Sequence, residues 1–148
     1  MICFKDLGCC LDIDDEWQRT EKVFEDIKPY VYQGFEKNGN YLYLHDYGYH
    51  NMEAVDTYLE YKFADEQNLQ NQTIYAKLDS RIIEDFEQKY YEALFFDEEK
   101  QVYNLRFYAT FSKKVFSFGC IDIYFQDYSD LEEMQKIIYE KFSFIKEK

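Results

Sequence analysis

From Val102 to Phe125, apolar side chains return at every second position on either side of a short polar break, Ser112-Lys113-Lys114. Tyr103, Leu105, Phe107, Ala109 and Phe111 share one face of the first arm. Phe116 and Phe118, then Ile121, Ile123 and Phe125, follow in the second. A period of two belongs to a pleated strand, and two such runs joined by three residues read as an antiparallel hairpin. The phase of the second arm slips by one residue at Gly119, which predicts a bulge there. Tyr30–Phe35 and Tyr41–Tyr47 are predicted to form another hairpin, because Asn38-Gly39 between them suits a two-residue turn with positive φ. Alternation from Ala54 to Phe63 predicts a further strand, and Thr73–Leu78 a short edge strand.

Three segments carry helical signals. Trp17, Phe24 and Ile27 predict a helix over Asp15–Ile27, capped by Asp14 and stopped by Pro29. Ile82, Phe86, Tyr90, Ala93 and Leu94 form one stripe of a helix over Ser80–Phe95. Ser129-Asp130-Leu131-Glu132 matches a capping box, and Met134, Ile138, Phe142 and Ile145 continue that helix at three- and four-residue steps. The order predicts an α+β fold: a largely antiparallel sheet of about five or six strands, with three helices packed mainly on one face. With one proline, five glycines and no repeat, residues 1–148 are expected to form a single compact α+β domain.

The first ten residues lack the apolar run of a signal peptide, and no later stretch approaches the ~20 apolar residues of a membrane span. The expected compartment is the cytoplasm, where Cys3, Cys9, Cys10 and Cys120 are most simply reduced thiols, with a Cys9 or Cys10 bridge to Cys3 or Cys120, formed on purification, as the alternative. These cysteines with His45 and His50 contain no Cys-x-x-Cys spacing, so no metal is expected. None of the five glycines stands in a phosphate-cradling motif, so no cofactor is expected either.

Charge narrows the function classes. Thirty acidic residues against 17 basic ones give a net charge of −13, which disfavours direct nucleic-acid binding and anionic membranes. No Lys or Arg occurs from Asn38 to Tyr61. If the pleat holds there, Tyr41, Tyr43, His45, Tyr47 and Tyr49 point away from Leu42 and Leu44. Asp56, Tyr58 and Glu60 of the next expected strand join them, as do Arg106, Tyr108, Asp122 and Tyr124 of the last hairpin. Helices over the aliphatic face would leave this tyrosine face open, with Asp46 among the neighbouring carboxylates. Tyrosine anchors flanked by acids suit a basic protein partner. The same face could instead lie under a helix or pair with its copy in a homodimer.

Catalytic candidates have structural explanations. His45 and Asp46 are consecutive strand residues and face opposite ways. Asp12 and Asp14 are explained by helix capping, and Cys9-Cys10 has no histidine nearby in sequence. The expectation is therefore a non-enzymatic, small acidic intracellular binding protein, a bacterial immunity protein that blocks a nuclease-type toxin by occlusion. Alternatives are a phage-encoded nucleic-acid mimic that inhibits a host defence protein, and a small enzyme with an Asp/Glu or Cys/His site.

Overall fold

Asn38 and Gly39 have φ of 52° and 79°, so the predicted two-residue turn is present and pins the register of the strands it joins. The computed structural model describes residues 1–23, 31–67, 72–113 and 117–146. In chain order the elements are β1 (Ile2–Phe4), β2 (Cys9–Leu11), β3 (Gln18–Arg19), β4 (Val31–Lys37), β5 (Asn40–Tyr49) and α1 (Met52–Gln67). There follow β6 (Thr73–Ile83), β7 (Phe86–Asp97), β8 (Val102–Thr110), β9 (Ser117–Phe125), α2 (Leu131–Tyr139) and β10 (Phe142–Phe144). Seven strands form one antiparallel sheet in the order β3-β4-β5-β9-β8-β7-β6, and β1-β2-β10 form a smaller one. The class is α+β with mostly antiparallel sheet. Among the described residues it has ten strands in two sheets and two helices, not five or six strands and three helices.

Both faces of the large sheet are covered. Leu105, Phe107 and Ala109 of β8 pack with Leu11, Trp17, Met134 and Ile138, so the small sheet and α2 roof the aliphatic face. Tyr108 of β8 and Cys120 of β9 pack on the other side with Val55 and Leu59 of α1. The helices therefore lie on opposite faces rather than mainly on one. All nine residues of β9 are buried, which explains its shifted pattern. Its pairing with β8 runs without interruption from Phe118 to Phe125, so Gly119 carries no bulge. The irregularity lies opposite, in β5 between Asp46 and Tyr49, where Gly48 takes φ of 85°. Gly119 is small for another reason: a Cβ there would collide with the His45 carbonyl oxygen and sit 2.7 Å from the Phe111 ring. Gly119→Ala is expected to destabilise the protein by about 1–3 kcal/mol through overpacking, read as a lower urea midpoint.

Four expectations need correction. Residues 54–63 form part of α1, not a strand; Asn51 Oδ1 accepts from Ala54 N at 2.8 Å and caps the helix. Residues 80–95 form the turn and facing arms of the β6–β7 hairpin, not a helix. That turn is Glu84-Asp85, with φ of 51° and 65°, and Glu84 Oε2 accepts from Phe144 N at 3.0 Å. The segment after Asp14 is not helical through residue 23; the expected positions 24–27, with Pro29 and Tyr30, lie outside the described residues. Asp14 closes a local turn by accepting from Glu16 N at 2.9 Å, and Lys37 Nζ holds it from 3.1 Å. Finally, α2 ends at Tyr139 and Phe142–Phe144 returns as a strand on β2. The Ser129 capping box is replaced by Asp127, which accepts from Ser129 N at 2.9 Å and starts a 3-10 turn leading into α2.

Cys3 and Cys10 face one another on β1 and β2 and are joined by a disulfide, whereas Cys9 and Cys120 are free and buried. Two of the four expected thiols are thus oxidised. Such bridges persist in oxidising compartments and are rare in the cytosol, so the Cys3–Cys10 bridge runs against the reduced thiols inferred from the expected compartment. No described helix is long and apolar enough to cross a membrane.

Candidate functional site

The pleat assigns the tyrosine face as the sequence suggests, but that face is not open. Tyr41 is 8% exposed, Tyr43 1% and His45 2%. Tyr43 stacks on Tyr41 with ring centroids 6.1 Å apart, meets Tyr124 at 5.9 Å, and donates its hydroxyl to the Lys22 carbonyl at 2.6 Å. Burial pushes the Tyr43 hydroxyl well above the usual phenol range. These residues are packed interior, so the expected wet sheet face is corrected to a second core layer.

Tyr47 and Tyr58 meet in that layer although they come from different elements. Tyr58 of α1 lies 4.9 Å from the Phe118 ring and 6.2 Å from Tyr108; Tyr47 of β5 lies 5.7 Å from Phe118 and 6.1 Å from Tyr108. Both are half-buried, and they line a mainly apolar cavity of about 280 Å³ with His50, Ala54, Val55 and Phe118. Tyr49 pairs with Ser117 in the ladder. Asp46 is exposed on the opposite side from His45, as expected of neighbours in a strand. Asp56 is half-buried and bonded to Lys89 at 3.1 Å. Glu60 is exposed on α1. Of the nine sequence-derived residues, only Asp46 and Glu60 are described as exposed, and they do not form one tyrosine-lined surface.

Behind Tyr43 lies a charged cluster. Asp122 accepts from Asn104 Nδ2 and from Arg106 Nε at 3.4 Å; Tyr124 donates to it at 3.4 Å. His45 Nε2 stands 3.3 Å from Asp122 Oδ2, the oxygen to which Tyr124 donates, without hydrogen-bond alignment, and His45 Nδ1 is buried without a partner among the described residues. Burial pushes the Asp122 carboxyl up, but Arg106, His45 and Asn104 outweigh it and hold it down at about 2. Arg106 and Asp122 are legible on this face because their strand positions share its parity. Their closeness to His45 requires the pairing of β5 with β9, which sequence does not announce. His45 and Asp122 could form a base–carboxylate pair, yet they are 2% and 1% exposed, which leaves no room for a substrate between them. The cluster neutralises buried charge.

A second polar knot, missed from sequence, sits beneath α2. Glu92 is buried on β7 and accepts from the hydroxyls of Tyr75, at 2.5 Å, and Tyr139. Arg81 of β6 donates to Gln88 Oε1 and to the Ile138 carbonyl, both at 2.7 Å, tying the sheet to the end of α2.

What remains outside is the solvent face of α1. Glu53, Thr57, Glu60, Tyr61, Ala64 and Asp65 are exposed there, and Tyr61 is 65% exposed. The one basic residue of α1, Lys62, folds back over the Tyr58 and Tyr108 rings at 5.8 and 5.4 Å. Comparison with known proteins finds no matching family model and no matching curated sequence.

Proposed function

We propose that the protein is a small acidic binding protein that neutralises a basic protein partner through the outer face of α1. Occlusion of a nuclease-type toxin by a bacterial immunity protein is the form this takes. One observation carries the reading: Glu53, Glu60 and Asp65 stand exposed around Tyr61, while Lys62 is turned inward. Acidic side chains are unfavourable in the last helical turn, where the backbone dipole is negative, yet α1 has no basic residue there. A cationic partner relieves that repulsion on docking. Carboxylates would steer the encounter, and the Tyr61 ring would supply rigid anchor area. Phosphate-binding grooves of nucleases are basic, and an acidic helix of this length fills one without any chemistry.

Affinity capture from the source cell tests this. The wild-type chain is expected to retain a basic protein that elutes as salt rises. Glu53→Lys/Glu60→Lys should weaken its capture by about a hundredfold or more, on the scale of close interfacial charge pairs. Glu132→Lys/Glu140→Lys, exposed in the first turn and at the C-cap of α2, should leave it unchanged. Equal capture by both variants, or capture insensitive to salt, would refute docking through α1.

A further inference from the structure

The large sheet ends in an unusually complete edge. β6 runs eleven residues, Thr73–Ile83, pairs with β7 on one side, and has no strand among the described residues on the other. Natural sheets blunt such edges with proline, short length, charged side chains, bulges or covering segments, and of these β6 has Lys77, Asp79 and Arg81 and one irregularity between Thr73 and Tyr75. β6 has no proline, and it exposes apolar side chains: Ile74 is 46% exposed, Leu78 39% and Ile82 69%. Helix α1 packs over the same face of β6 and β7, with Asp56 on Lys89, Phe63 against Tyr91, and Leu59 and Glu60 across a cleft from Leu78 and Ser80, and adds no strand to the rim.

The sequence of β6 is complementary to its own reverse. When two copies lie antiparallel with all eleven residues overlapping, Leu78 falls on Leu78. Ile82 then falls opposite Ile74, which sits at the irregularity near the start of the strand, and Lys77 falls opposite Asp79, twice each. Opposite charges and apolar pairs directly across a ladder stabilise it, whereas like charges destabilise it. Centring on Asp79 instead sets Lys77 against Arg81; centring on Lys77 sets Lys77 against itself. Centring on Ser80 leaves Ile74 unmatched and requires Arg81, whose guanidinium is already held by Gln88 and the Ile138 carbonyl. We propose that β6 is a self-association edge: two copies of this chain add their β6 strands to one another antiparallel, with Leu78 on the two-fold axis, joining two seven-stranded sheets into one. The occupant is a second copy because charge and apolar pattern match in the one register that overlaps the whole strand.

Sedimentation of the full chain tests the edge. The wild type is expected to show a concentration-dependent dimer. Lys77→Asp places carboxylates against Asp79 of the partner subunit and should weaken dimerisation about tenfold or more. Adding Asp79→Lys restores the opposite-charge pairing and should restore the dimer. Both variants lose the contacts of Lys77 with the Tyr90 and Tyr139 rings, and the double variant also loses the bond from Ser80 N to Asp79 Oδ1, so recovery of the dimer in it reports the interface and not a healthier fold. As an independent reading, Leu78→Cys should form an intermolecular disulfide between the two introduced thiols on mild oxidation, identified by peptide mapping. A wild type that stays monomeric at every concentration would overturn the proposal. So would a dimer indifferent to Lys77→Asp, a double variant that is not rescued although folded, or no cross-link between the introduced thiols.

Discussion

Asp122→Ala is expected to destabilise the protein by about 3 kcal/mol, the low end for breaking a buried pair because Arg106 keeps a quarter of its side chain in solvent, since it removes the buried carboxylate that Asn104, Arg106 and Tyr124 share. The desolvation of Arg106 has already occurred on folding; removing Asp122 removes only the compensation. Arg106→Met/Asp122→Leu should therefore cost much less than Asp122→Ala alone, since apolar side chains of similar size need no partner. Urea unfolding of the two variants checks this, and equal losses would show that the ion pair is not what holds the cluster. The same carboxyl predicts an acid limb. Its folded value, about 2, lies below its ordinary value of 3.8, so its contribution is complete above about pH 4 and fades as pH falls toward 2. That contribution is roughly 2 kcal/mol, and Asp122→Asn should flatten the stability profile over this window.

Leu59→Ala is expected to cost about 2–5 kcal/mol, a large effect for one side chain of a helix that packs on the sheet through a single face. Leu59 is 1% exposed and, with Val55, is the aliphatic wedge between α1 and the aromatic layer of Tyr91, Tyr108 and Phe118. Alanine leaves a void that the rigid rings cannot close. Amide exchange across α1 should accelerate more than exchange in β8, because the helix opens before the sheet does. Uniform acceleration in both would mean that α1 and the sheet unfold as one unit.

The turn at Asn38-Gly39 and the β8–β9 hairpin are legible in sequence because their signals admit one period only. Elsewhere the apolar residues sit four apart, and a step of four satisfies both a strand and a helix. Val55, Leu59 and Phe63 read as alternate strand positions, yet they face inward on α1. Phe86, Tyr90 and Leu94 read as a helical stripe, yet they occupy one face of β7. Short-range chemistry breaks the tie in each case. Asn51 caps α1, and Glu84-Asp85 adopts positive φ although neither residue is glycine, held by the Phe144 backbone from β10. No local pattern announces a turn secured from sixty residues away.

The site is half legible for the same reason. Parity places Tyr41, Tyr43 and His45 with Tyr108 and Asp122, and the structure keeps them together. The segment carrying Asp56, Tyr58 and Glu60 reads as part of the sheet, whereas it forms the helix that covers the sheet. With the cover counted as floor, the tyrosines look wet.

Mild nitration followed by peptide mapping bears most directly on that covered aromatic layer. Tyr61 and Tyr128, 65% and 50% exposed, should be modified first, while Tyr43, Tyr91 and Tyr108, at 3% or less, stay unmodified until the protein unfolds. Nitration of Tyr43 and Tyr108 at the rate of Tyr61 in the folded protein would place the aromatic face in solvent and contradict the account.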